Sequence, residues 1–398
     1  MRKYFYLCGV IFLSMNLFAQ QRVPNTGEES QYCSWKKNKL TVEYNQIVLS
    51  NTIGWRYDQI YSDEFEGNHI NTSKWNIPNN TWHSPNSAVG FINSPNNVRT
   101  ENGKLRLSVT ANEDSLLCYC SWDTVSQYIV PKLLAGRVSS TQLIRYGYFE
   151  TLCYLPKNHN YWPCFWTYHR DAFNEDYDEV DIFERTRSDS TDKPNIIRQN
   201  CYNNIGYPDQ SQITQILTFP DSITGKTIVF GAEILPEEVV FYINGHVSSH
   251  LKYHPSPIQD SLNPLYTCTD IEEMIEMHAL LTLTCDPTQT SIPLPQESAL
   301  FEYFRCYKLE RGDVNTYHPT VFIPSDESTK VYPHVIIGGS GCTAVVNTST
   351  AVWAEQDILL DKGFEVPVGT TFSARVISVP NPESSPLYIQ NCHNSNEN

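Results

Sequence analysis

The stretch Asp178-Glu179-Val180-Asp181-Ile182-Phe183-Glu184 governs how the rest of the chain is read. Val, Ile and Phe are strong strand formers, so the segment reads as β despite its acids. Glu179 and Asp181 are two apart and project from one face. Glu184 is five from Glu179, an odd spacing that sends it to the opposite face. A β-bulge sets two residues against one, restores the parity and brings Glu184 beside the other two. The spacing therefore predicts a bulged strand with Glu, Asp and Glu in a row on one face.

Such a row suits double displacement at a glycosidic bond. One carboxylate attacks the anomeric carbon while another, held protonated, donates to the leaving oxygen, and retention needs them roughly 5 Å apart. Crowding of like charges raises at least one pKa, which supplies the acid. On this reading Glu179 is the nucleophile, Glu184 the acid/base, and Asp181 orients and tunes Glu179. Standing alone, an E-x-D-x-x-E string more often marks a solvated strand face or a set of calcium ligands.

The flanks change that balance. Tyr146-Gly147-Tyr148-Phe149-Glu150 and Trp162-Pro163-Cys164-Phe165-Trp166 lie upstream. Asp63-Glu64-Phe65 with Lys74-Trp75, then Asn97-Val98-Arg99-Thr100-Glu101-Asn102-Gly103-Lys104-Leu105, open the region. Phe241-Tyr242-Ile243-Asn244-Gly245 and Tyr303-Phe304-Arg305-Cys306-Tyr307 close it. In this order the motifs resemble glycoside hydrolase family 16, the laminarinase, lichenase, agarase and carrageenase group, over roughly residues 55 to 310. E-x-D-x-x-E is the bulged form of that family's signature.

The resemblance implies a β-jelly roll with a concave substrate cleft. It implies substrate contacts for Trp162 and Trp166, for Tyr177 beside the catalytic strand, for Asn200 and Tyr202, and for Arg137. Against these stand core packing for a tryptophan and a surface ion pair for Arg137. It further implies a structural calcium, with Glu302 standing where the family has an aspartate and Gly103 offering a carbonyl; no cofactor is required for the chemistry. Two departures weaken transfer of β-1,3-glucan specificity: Ile234 replaces a family tryptophan, and residues 281–295 contain no Trp.

Composition narrows the partners. The formal charge is −16, without basic runs, which argues against nucleic acid and anionic membranes and favours a neutral glycan. Aromatic residues make up 12% of the chain, with 24 Tyr and 8 Trp, which suits a β-rich core or stacking on pyranose rings. Met1-Arg2-Lys3, an apolar run to Phe18 and then Ala19 read as a signal peptide over 1–19. Export to the periplasm, the surface or the medium is expected, as a monomer without membrane insertion. Cys8 lies in the apolar run, so eleven of the twelve cysteines would remain after cleavage. One or two disulfides fit, Cys342 with Cys392 for example, while Cys153 reads as a buried thiol.

Residues 20–54 read as a leader with a strand-like run at Leu40–Leu49. From 55 to 310, short strands separated by Asn, Pro and Gly argue for an all-β sandwich; Thr269–Leu281 reads as a short helix or a loop feeding a strand. Residues 311–398 read as a linker and a small β-rich accessory domain of stacked strands. The whole reads as an exported retaining endo-β-glycanase acting on β-1,3-glucan. The alternatives are a β-galactan-active hydrolase, agar-type or host mucin-type, and a non-catalytic lectin on the same fold.

Overall fold

A computed structural model describes residues 35–41, 55–252 and 277–376. Short stretches at 79, 83–86, 123–124, 145, 171–176, 186–193, 205–209, 236–237, 287–289, 294, 312–315, 320–329, 340–343, 346–349, 362–363 and 369 fall outside that description. The expected signal segment, the proposed Cys342–Cys392 pair and residues 269–276 of the expected helix or loop are likewise outside it. The described chain is all-β and divides into two units, one holding residues 57–306 and the other residues 307–388 with 52–56.

We number the principal strands in chain order. They are β1 (Trp35–Thr41), β2 (Val98–Thr100), β3 (Leu105–Ser108), β4 (Leu133–Ser140), β5 (Gly147–Tyr154) and β6 (Tyr161–Arg170). β7 (Tyr177–Glu184), β8 (Ile196–Asn204), β9 (Gln210–Thr218), β10 (Thr227–Ile234), β11 (Glu238–Ile243) and β12 (His246–Lys252) follow. β13 (His278–Cys285) and β14 (Ser298–Lys308) complete the larger unit.

That unit is a two-sheet jelly-roll sandwich. One sheet runs β1-β9-β8-β7-β6-β13-β4 and continues through short strands at 89–91, 81–82, 118–122 and 125–129. The other runs β12-β11-β10-β5-β14-β3-β2. Alternation along the strands places Phe149, Phe165, Phe183, Phe230, Phe241, Leu281 and Phe301 between the sheets, each at most 1% exposed. The first and last segments meet through Asp63, which bridges to Phe304 and accepts the Trp75 indole N–H at 2.8 Å. Cys153 is a buried thiol, as its alternation requires, and Cys118, Cys164, Cys201, Cys285 and Cys306 are buried cysteines as well. Residues 42–49 of the expected run lie outside the described residues, and a strand at Trp35–Thr41 pairs parallel to β9 at the end of the sheet. Three lysines in seven residues disguise it as loop, yet lysine is a common guard on an edge strand.

The smaller unit is built differently. Its strands β15 (Lys330–Ile337), β16 (Thr350–Leu360) and β17 (Phe372–Val376) pair in parallel, Val331 against Trp353 and Thr350 against Phe372. A second parallel ladder sets Ala344 against Phe364. Each step returns the chain beside itself after about 20 residues, the geometry of a short β-solenoid. Its interior is apolar: Val335, Ile337, Val352 and Ala354 are buried, and Tyr317 stacks on Tyr332 at 4.7 Å.

Candidate active site

The site is built by a defect in β7. Against β6, Phe183 pairs with Phe165 and Asp181 with Trp166, so Ile182 is passed over. Against β8, Asp181 pairs with Asn200 and Glu184 with Arg198, so Ile182 and Phe183 together face Gln199. This is the bulge that the carboxylate spacing predicts. Val180, Ile182 and Phe183 are all fully buried, and Phe183 stacks on Phe230 of the opposite sheet with ring centroids 3.9 Å apart. Burial of these three apolar residues turns Glu179, Asp181 and Glu184 to the open face.

Cross-strand register then sorts that face into rows, because directly opposed residues share a side. Glu184 lies in the row Arg137 (β4), Thr282 (β13), Cys164 (β6), Glu184, Arg198 (β8). The next row is Ser139, Leu280, Trp166, Asp181, Asn200, and the third is His278, Tyr168, Glu179, Tyr202. Trp162 pairs with Thr284, one step beyond Cys164. Arg137, Trp162, Trp166, Asn200 and Tyr202 are therefore gathered on the face of the three carboxylates. The backbone of Tyr177 continues it opposite Asn204, and its side chain lies outside the described residues.

Asn200 links the acids, its Nδ2 donating to Asp181 Oδ2 at 2.7 Å and to Glu184 Oε2 at 3.0 Å. Asp181 in turn hydrogen-bonds Glu179, a contact that raises the Asp181 carboxyl and lowers that of Glu179. Burial and then the neighbouring Glu184 charge push the Glu179 carboxyl up to about 7. Burial and then Asp181 push Glu184 up to about 8, against the opposing pull of Arg198, Asn200 and the Trp162 indole. Asp181 is raised as well, by burial first and by Glu179 second. Burial and mutual charge thus raise all three carboxyls, Glu179 to about 7 and Glu184 to about 8.

Two residues of the site escaped the sequence reading. Arg198 shares its strand face with Asn200 and Tyr202, so alternation alone could have found it. Cys164 pairs with Glu184, and burial together with the two nearby acids raises its thiol well above the ordinary range. Arg137 rests on the Phe91 ring at 4.8 Å, its Nε buried without a hydrogen-bond partner, and burial lowers its pKa to about 10. Glu302 is ion-paired with Lys104, and Gly103 occupies an exposed turn at φ +70°. A calcium ion held by Glu302 would have to displace the lysine ammonium. Among the described residues no group of three or more His, Cys, Asp or Glu is arranged to hold a metal ion.

A jelly-roll sandwich with coupled carboxylates on its open face has the architecture and donor set of a glycan-active protein. Residues 86–267 match the family model for glycosyl hydrolases family 16, whose members are glycoside hydrolases. Among solved structures, porphyranase B from Zobellia galactanivorans is similar at 17% identity and TM-score 0.48, over 64% of this chain and 92% of that one. The κ-carrageenase from Pseudoalteromonas carrageenovora, in complex with an oligotetrasaccharide of κ-carrageenan, aligns at 14% identity and TM-score 0.49, over 65% and 97%. The catalytic domain of an endo-1,3-β-glucanase (laminarinase) from Thermotoga petrophila RKU-1 aligns at 18% and 0.46, over 64% and 98%. A comparison with curated protein sequences returns no match.

Proposed function

We propose that the chain is an exported endo-acting β-glycanase working by double displacement with retention. Glu179 attacks the anomeric carbon and Glu184 protonates the leaving oxygen, then takes a proton from the water that resolves the glycosyl-enzyme. Asp181 donates to Glu179 and steadies its charge. The observation that carries this reading is the bulge of β7, which brings Glu179, Asp181 and Glu184 to one face in electrostatic contact. Trp162, Trp166 and Tyr202 offer aromatic surface around the acids, and Arg137, Asn200 and Tyr177 extend the contact surface. The substrate we place first is a neutral β-1,3-glucan, with a β-galactan second.

The test is reducing-end release from laminarin, lichenan, agarose, porphyran, carrageenan and mucin-type glycans by wild type and Glu179→Gln. Activity on one substrate, retained with its anomeric configuration and lost in the variant, is expected. A variant that still turns over at more than a trace would remove Glu179 from its role. Binding without turnover by both proteins would instead favour a lectin.

A further inference from the structure

The acid/base carboxylate depends on a bulge, and a bulge leaves backbone groups outside the ladders. Ile182 has no cross-strand partner in β6 or β8. Its carbonyl accepts the side-chain amide of Gln199, Nε2 to O at 3.2 Å. Gln199 is fully buried on the inner face of β8, between Ile197 and Cys201. Its own carbonyl oxygen accepts the hydroxyls of Ser248 at 2.9 Å and Ser249 at 2.8 Å.

Two adjacent residues of a regular strand point to opposite faces and could not both reach one oxygen. They do so here because β12 carries a bulge of its own. Phe241 of β11 pairs with Ser249 and Tyr242 with Val247, so Ser248 is the extra residue. The amide of Gln199 is thus held at both ends by irregularities, one in each sheet.

We propose that Gln199 is a positioning residue for Glu184, pinning the bulge of β7 to a matching bulge in the opposite sheet. The inference rests on the reading of Glu184 as acid/base. Without the amide, the buried Ile182 carbonyl loses this donor, and the strand can relieve the loss by moving its extra residue. A one-residue slip beyond Asp181 would turn Glu184 away from Asn200 and Arg198. Phe183 on Phe230 resists that slip by packing, while Gln199 resists it by direction.

Gln199→Met keeps the volume and removes both hydrogen-bonding ends. The expected result is a kcat about 100-fold lower with KM within about threefold, since small misplacements of a reacting group act on turnover. It is measured on whichever of laminarin, agarose or carrageenan the wild type cleaves. The Glu184 carboxyl, followed by NMR of glutamate labelled with 13C and assigned with Glu184→Gln, should titrate below its wild-type midpoint as it gains water. The double change Ser248→Ala with Ser249→Ala leaves the donor in place but frees the amide to rotate. It should lower kcat about 10-fold, and it decides the matter alone if Gln199→Met does not fold. Unchanged kcat and Glu184 titration in these variants would overturn the proposal. So would a loss of kcat with the wild-type pH profile and titration retained. If wild type cleaves none of the glycans while the Glu184 titration still follows Gln199, the pin stands and the assigned reaction falls.

Discussion

At the scale of single residues, three acids share one face and their environment divides the labour. Glu179 at about 7 and Glu184 at about 8 place the proposed nucleophile, ionised, and the proposed acid, protonated, together most often between those values. Below that window Glu179 gains a proton; above it Glu184 loses one. A bell-shaped kcat/KM profile peaking there is expected. Arg198 faces Glu184 across the ladder and lowers its pKa by its charge. Arg198→Met should move the alkaline limb to higher pH, and Arg198→Lys should leave it near wild type. An unmoved limb in both would detach Arg198 from the acid. The same acids bear on stability. Unfolded glutamates titrate near 4.3, whereas folded Glu184 keeps its proton to about 8. Between these values the unfolded chain has released a proton that the folded chain still holds. Stability therefore falls as pH rises through that interval and levels off above it. Glu184→Gln removes this penalty and should be a few kcal/mol more stable than wild type at pH 8, the gap closing by pH 4. Thermal unfolding of both proteins at the two pH values checks this.

At the scale of elements, the sheet holding the acids tolerates little backbone adjustment. Gly136 in β4 shows this: a Cβ there would lie 2.3 Å from the Asn97 carbonyl oxygen and 3.3 Å from Leu107. Asn97 cannot retreat, because its buried Nδ2 donates to Ser108 O, Thr110 Oγ1 and Leu134 O at 3.2, 3.0 and 2.8 Å. Gly136→Ala should cost about 1–3 kcal/mol, seen as a lower urea midpoint at unchanged slope. An unaltered midpoint would mean that β4 can shift away from Asn97. Elements also set what could be read in advance. The bulge was legible because parity is local: apolar and acidic residues could not otherwise sort to two faces within seven positions. The grouping of Trp162, Trp166, Asn200 and Tyr202 was legible by alternation. The role of Asn200 was not, since a contact with sugar and a bridge between Asp181 and Glu184 look alike from one strand. Gln199 was less legible still. Its meaning lies in Ser248 and Ser249, about fifty residues away in the other sheet, and in a second bulge that no charge pattern marks.

At the scale of the whole chain, net charge informs little about the site. A formal −16 belongs to the surface as a whole, while the row of Glu184 carries Arg137 and Arg198 on either side. The division of labour between units is more telling. The sandwich has one continuous core drawn from Tyr61 to Cys306, and the solenoid has its own, from Tyr332 to Ala354. Every carboxylate, aromatic and arginine assigned to catalysis or to contact with the sugar belongs to the first. Two cores argue for two units able to fold separately, and no side chain of the solenoid enters the proposed chemistry. Ending the chain after Arg311 should therefore leave kcat on a short oligosaccharide within about twofold of wild type. The same protein assayed on the intact polysaccharide separates two roles for the solenoid. An equal rate there assigns it to stability or spacing. A raised KM on the polymer alone would make it a contact for the chain beyond the cleft. Loss of activity on both substrates, with the fold retained, would overturn the placement of the whole site in the sandwich.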